Sequence, residues 1–119
     1  MEKKYRLLED DTITVSGRTL HRIEALRDFA DVKKGDKGGY VEKEENLLHV
    51  GNCWVFGKAR VSDNALVRDD ARVFDNALVC DDALVSGTAR VLGKACVLGN
   101  AKISNGIITS IVIENEQNE

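Results

Sequence analysis

At 119 residues, the chain has room for one domain, and 17 basic against 20 acidic residues leave a net charge of −3 that draws it to neither DNA nor anionic lipid. It is 43% hydrophobic but only 5% aromatic, with no proline and ten glycines. That excludes disorder and an aromatic platform for single-stranded nucleic acid, and requires a core of small aliphatic side chains.

Residues 1–46 are expected to form a small β cap. Met1–Asp11 is charged and has no apolar stretch of signal-peptide type, and no run in the chain approaches the ~18 apolar residues of a membrane span, so a cytoplasmic protein is expected. TITVSGRTLHRIEAL predicts a hairpin turning at Ser16-Gly17, with Ile13, Val15, Leu20 and Ile23 in alternation. The Gly-rich GDKGG that follows predicts a tight loop rather than a phosphate loop, because it lacks the GK[ST] ending.

From Cys53 to Gly106 the chain is nine uninterrupted hexads: CWVFGK, ARVSDN, ALVRDD, ARVFDN, ALVCDD, ALVSGT, ARVLGK, ACVLGN and AKISNG. The first position is Cys53 and then alanine, the third is valine and finally Ile103, and the fifth is always Gly, Asp or Asn. Positions one and three of such a pattern face one side and positions two and four the other, so each hexad is a short strand. The residue pairs that follow tolerate left-handed backbone, so the chain turns every six residues. A helix is excluded, since period six holds no single face at 3.6 residues per turn. Three strands then close a triangular coil of 18 residues, with alanine and valine filling a narrow prism. Beyond the hexads, IITSIVI is β-rich but less regular, giving a β-helix over 47–113 and a solvated, disordered acidic tail at 114–119.

These hexads resemble those of the hexapeptide-repeat proteins, whose fold is a left-handed parallel β-helix. The segment DVKKGDKGGYVEKEENLLHVGNCWVFGKARV is also similar to a bacterial and phage subfamily in which a short region ending in GNCWV leads into the repeats. Members are often labelled transferases by analogy of fold. The resemblance implies an all-β, left-handed parallel β-helix and a three-fold homotrimer.

Stacking at 18 residues sorts the outward side chains onto three faces. One carries Trp54, Phe56, Arg72, Phe74, Arg90 and Leu92; the second Arg60, Ser62, Leu78, Cys80, Cys96 and Leu98; the third Leu66, Arg68, Leu84, Ser86, Lys102 and Ser104. Trp54, Phe56, Phe74 and Leu92 make a larger apolar surface than a soluble monomer leaves open, so a trimer interface is expected there and at Leu78 and Leu98, with cover by the cap or the C-terminal strand as the alternative. Arg72 and Arg90 stack ~4.8 Å apart, which requires an anion, a carboxylate or an aromatic face between them. Pairing with a carboxylate of a neighbouring subunit is one solution; a small-anion site formed with Trp54 and Phe74 in a groove between subunits is the other. The acidic corners Asp63/Asp81 and Asn64/Asp82 read as solvated turns rather than a Ca²⁺ ladder. Cys53, Cys80 and Cys96, odd in number and without CxxC spacing, read as reduced thiols. No metal and no cofactor is expected.

Transferases of this fold resembling the chain use a histidine base at a subunit interface and a loop protruding from a coil. Neither feature lies in the repeats, and the histidines are His21 in the cap and His49 before the first hexad. His49 falls at an inward valine position if the register runs back to Leu47. The sequence therefore favours a non-catalytic homotrimer that binds a small anion at its subunit grooves or a protein along a face; the resemblance to the phage subfamily implies a nucleotide-like anion or a host protein, to be sequestered or inhibited. The alternatives are a CoA-dependent acyltransferase and a structural assembly protein.

Overall fold

The computed structural model describes residues 2–114. In chain order its strands are β1 (Tyr5–Val15), β2 (Arg18–Ala25), β3 (Lys37–Val41), β4 (Trp54–Val55), β5 (Arg60–Val61), β6 (Leu66–Val67), β7 (Arg72–Val73), β8 (Leu78–Val79), β9 (Leu84–Val85), β10 (Arg90–Val91), β11 (Cys96–Gly99), β12 (Lys102–Ile103), β13 (Ile107–Ile108) and β14 (Ile111–Glu114). From β4 onward they wind into a parallel β-helix with three faces, ordered β4-β7-β10-β13, β5-β8-β11-β14 and β6-β9-β12. The 18-residue spacing holds in the register Trp54–Arg72–Arg90, Arg60–Leu78–Cys96 and Leu66–Leu84–Lys102. It shortens at the top, where Arg90 pairs with Ile107 and Cys96 with Ile111, because only three residues separate β12 from β13 and only two separate β13 from β14. Glu114, expected in the tail, is the last residue of β14; the rest of the expected tail, 115–119, lies outside the described residues.

Each strand is short because a corner follows it. The fifth residue of the first eight hexads has φ between +57° and +68°, at Gly57, Asp63, Asp69, Asp75, Asp81, Gly87, Gly93 and Gly99; in the ninth, Gly106 takes the positive φ instead. Only glycine and, at some cost, aspartate or asparagine take that geometry routinely. Where the residue is aspartate, its carboxylate accepts the N–H of the corner one coil above: Asp63 from Asp81 at 3.0 Å, Asp69 from Gly87 at 2.9 Å, Asp75 from Gly93 at 2.9 Å and Asp81 from Gly99 at 2.8 Å. The acidic corners are thus hydrogen-bond acceptors between coils. Inside the prism, Ala59 to Ala101 and Val55 to Val97 are at most 1% exposed. Each valine buried in this way contributes about 1.5–3 kcal/mol.

Backbone groups that point down from the lowest coil have no coil beneath them, and the cap supplies their partners. The β1–β2 hairpin turns at Ser16 and Gly17, both with positive φ, and β2 pairs with β3. Strand β3 joins β5 in parallel, Tyr40 opposite Arg60 and Val41 opposite Val61, so the cap sheet runs directly into one face of the helix. Strand β1 starts seven residues before the predicted hairpin, at Tyr5, and Tyr5 and the preceding Lys4 bring two buried side chains to the lower end. Lys4 Nζ donates to Gly51 O (3.1 Å) and Cys53 O (2.7 Å), and Tyr5 Oη sits between Leu47 O (2.6 Å) and Glu44 O (2.7 Å). Buried Asn46 completes the plug: its Oδ1 accepts the Glu42 and Lys43 N–H groups, and its Nδ2 donates to Asp63 O and Ala65 O.

GDKGG is explained by the same closure. A Cβ on Gly38 would collide with Val55 O, and one on Gly39 would lie 2.5 Å from Ala59 O and 2.7 Å from Val55 Cγ1. The glycines let β3 lie flat on the first coil. Gly39→Ala is expected to destabilise the fold by about 1–3 kcal/mol, the usual range for overpacking, read as a lower urea midpoint at unchanged slope; an unchanged midpoint would show that β3 does not rest on the coil.

Candidate functional site

The face expected to be most apolar is partly closed by the chain itself. Trp54 is only 1% exposed: the Phe29 ring packs edge-on at 5.1 Å and Tyr5 at 6.1 Å. The expectation that Trp54 points into solvent, to meet a ligand or another subunit, is therefore corrected; the loop between β2 and β3 and the start of β1 cover it. Phe56 and Phe74 stack at 4.7 Å beside it and, like Leu92, remain half-exposed.

Arg72 also finds its carboxylate within the chain. Its guanidinium meets Asp31 at 3.1 Å and lies 5.6 Å from the Phe56 ring centre, so the pairing expected from a neighbouring subunit is made by the cap loop instead. Bonding to Arg72 holds the Asp31 carboxyl below its ordinary value. Arg90, one coil up, is exposed. The structure thus brings Arg72, Phe56 and Phe74 together, leaves Arg90 at the edge of that group, and removes Trp54 from it.

His49 is also placed differently from its expected position. Leu47, not His49, takes the inward position, bridging to Val67, because the turn at Glu44–Asn46 shifts the register by two residues. The His49 ring stacks on Tyr5 at 4.3 Å; its Nδ1 accepts the Lys4 N–H at 3.0 Å and its Nε2 faces Glu44 Oε2 at 3.0 Å. An acceptor at Nδ1 places the ring proton on Nε2, aimed at the carboxylate, so both nitrogens are committed. His21 has Nδ1 3.0 Å from Leu8 O. Beside His49, Leu47, Leu48, Val50 and Glu45 line an open groove of about 360 Å³ at the lower end.

At the corner between two faces, Arg18, Lys43, Asp63, Asn64, Asp81 and Asp82 line an open groove of about 510 Å³. Oxygen and sulfur atoms of Asp63, Cys80 and Asp81 lie within 4.8 Å of one another there. The carboxylates are already engaged, Asp63 by Arg18 and the Asp81 N–H, Asp81 by the Gly99 N–H. Burial, with the charges of Asp81 and Asp63, pushes the Cys80 thiol up to about 11, which keeps it protonated and a poor metal ligand. All three cysteines are free.

Sequence reasoning missed Lys4, Tyr5 and Asn46, since each satisfies backbone groups that no periodicity announces. Lys4 is 0% exposed and lies 3.4 Å from Cys53 Sγ and 4.8 Å from the Phe29 ring centre. Burial lowers its ammonium from the ordinary lysine value and raises the Cys53 thiol.

No family model matches the chain. It is similar to a protein of Escherichia coli (strain K12) described as the uncharacterized acetyltransferase YdcK, at 36% identity over an alignment covering 52% of this chain and 23% of that relative. The chain thus spans about a quarter of the length of the curated relative it matches. Together with the hexads and the parallel coils, the similarity supports a hexapeptide-repeat β-helix; the transferase label belongs to the relative. No helix among the described residues is long and apolar enough to cross a membrane.

Two carboxylates that pin the cap are each held below their ordinary values. Asp31 is held below 3.8 by Arg72, and Glu44 below 4.5 by His49 and Lys3. Groups depressed in this way contribute stability that is full above their ordinary values and is lost as pH falls through the folded ones. The melting temperature is expected to hold from pH 7 to 5 and to drop below about pH 4. Asp31→Asn should lower it at pH 7 and shrink the acid drop; an identical profile for this variant would show that the Asp31–Arg72 pair does not hold the cap.

Proposed function

We propose that this chain is a non-catalytic β-helix that acts by binding and assembles with copies of itself, as a three-fold homotrimer, through the apolar columns its cap leaves open. The observation that carries this reading is the column on the β5-β8-β11-β14 face. Leu78, Cys96 and Ile111 stack in one row and Cys80, Leu98 and Ile113 in the next, with Ile111 64% and Ile113 53% exposed. Phe74 and Leu92 extend apolar surface along the neighbouring face. An isoleucine pair left this open costs solvation that a second copy removes. The commitment of both His49 nitrogens and the unbroken run of corners from Gly57 to Gly99 support binding over chemistry. In a phage setting, such an assembly would act by sequestering or inhibiting a host component, either a small anion or a protein.

The second reading is acyl transfer from CoA, favoured by the description of the E. coli relative. The two separate in one set of measurements. Native mass spectrometry should give three times the 13.1 kDa chain mass, and Leu98→Glu with Ile113→Glu should give the single-chain mass without lowering the melting temperature. A monomeric wild-type protein overturns assembly. Saturable acetyl-CoA binding with release of free thiol in the presence of an amine overturns the non-catalytic reading and points to transfer.

A further inference from the structure

Strands β2, β3 and β5 place Arg22, Tyr40 and Arg60 side by side: Arg22 pairs in register with Tyr40, and Tyr40 with Arg60. At ~4.8 Å between strands, the two guanidinium stems flank the phenol at a separation of about 10 Å. Lys58, from the corner just before β5, and Asn76, from the corner one coil above it, close the other side of a groove of about 430 Å³, and Ile13 supplies an apolar wall. The volume falls in the range of small-molecule sites.

The charges in this groove do not cancel. Arg22 is fixed by Asp11 Oδ2 (3.0 Å), Gly38 O (2.8 Å) and Tyr40 Oη (2.6 Å), and its guanidinium lies 4.5 Å from the Tyr40 ring centre. Among the described residues no carboxylate pairs with Lys58 or Arg60. Three cations thus share one carboxylate, in a chain whose net charge is −3. Like charges within a Debye length repel, so the cluster works against the cap's docking unless something negative enters it. Its polar groups suit an anion. Tyr40 Oη accepts from Arg22, which leaves its own proton free to donate, though the residue is only 9% exposed; Arg60 offers a planar fork, Lys58 an ammonium and Asn76 an amide. The Arg72–Arg90 column lacks this property, because Asp31 neutralises Arg72.

We propose that the groove formed by Tyr40, Lys58, Arg60 and Asn76 binds a small phosphate-type anion, with Ile13 and the Tyr40 ring receiving an apolar or flat group attached to it. The proposal rests on the reading that the chain acts by binding, and it gives that reading a site and a ligand class. It does not depend on assembly, since every lining residue comes from one chain.

Isothermal titration of the full chain with inorganic phosphate and with phenyl phosphate tests it. Both should bind saturably, phenyl phosphate more tightly, and Arg60→Gln or Lys58→Gln should each weaken binding by at least about tenfold. Arg68→Gln, which removes a paired arginine on another face, should leave binding unchanged. Equal affinity for the two probes would overturn the place given to an apolar group at Ile13 and the Tyr40 ring and leave the groove to bare phosphate. Absence of saturable binding, or binding indifferent to Arg60→Gln, overturns the site; loss on Arg90→Gln alone moves it to the Arg72 column. Since these variants are read beside the native mass, a monomeric protein that binds phosphate sinks assembly and not the groove.

Discussion

A chain that turns every six residues must pass through left-handed backbone at every corner, and the rest of this molecule follows from how it meets that requirement. Eight corners carry aspartate or glycine at φ near +60°. Aspartate is strained there relative to glycine, but its carboxylate reaches the N–H of the corner above, so the residue that makes the turn also ties the next coil to it. Net repulsion among stacked carboxylates is offset because each is held by a backbone donor. Asp69 shows this directly: bonding to the Gly87 N–H, and then to Arg68, holds its carboxyl below the ordinary range.

A ladder that satisfies each coil through its neighbour leaves the first coil without one, and the cap is the chemical answer to that deficit. Lys4, Tyr5 and Asn46 contribute an ammonium, a phenol and an amide to carbonyls between Glu44 and Ala65. Gly38 and Gly39 lower β3 onto the coil. Burial pushes the Tyr5 phenol above its ordinary range, as expected for a donor held out of water. The cap also decides which outward surfaces remain: it covers Trp54, engages Arg72, and leaves the rows ending in Ile111 and Ile113 open. Function and closure are therefore coupled, because each residue spent on covering one face is a residue unavailable to recognise anything on it.

Periodicity made the coils legible. Alanine and valine at fixed hexad positions specify which side chains point inward and which strands stack, and the register from Trp54 to Lys102 follows from counting. What counting could not see was contact between distant segments. The hexads place Trp54 outward on its strand, and so it is, but Phe29 and Tyr5 arrive from 25 and more residues away to cover it. The His49 shift has the same origin, since the turn at Glu44–Asn46 breaks a register that was extended on the assumption of continuity. The groove between Tyr40 and Arg60 escaped notice because its residues belong to four strands and two corners that no single repeat brings together.

The two ends of the helix are unlike, and this gives the molecule a direction. Below, buried side chains lock the first coil to a hairpin whose own contacts are local in sequence. Above, the last strands on each face offer their outer backbone groups to no further coil among the described residues, and the coil there is shorter than the others. Each new coil can order only on the one beneath it, at nearly the same loop-closure cost, so ordering is expected to proceed upward from the hairpin. Amide exchange in such a column forms a gradient along the axis, and lengthening the protein by whole coils near its middle would move the two ends apart without altering either.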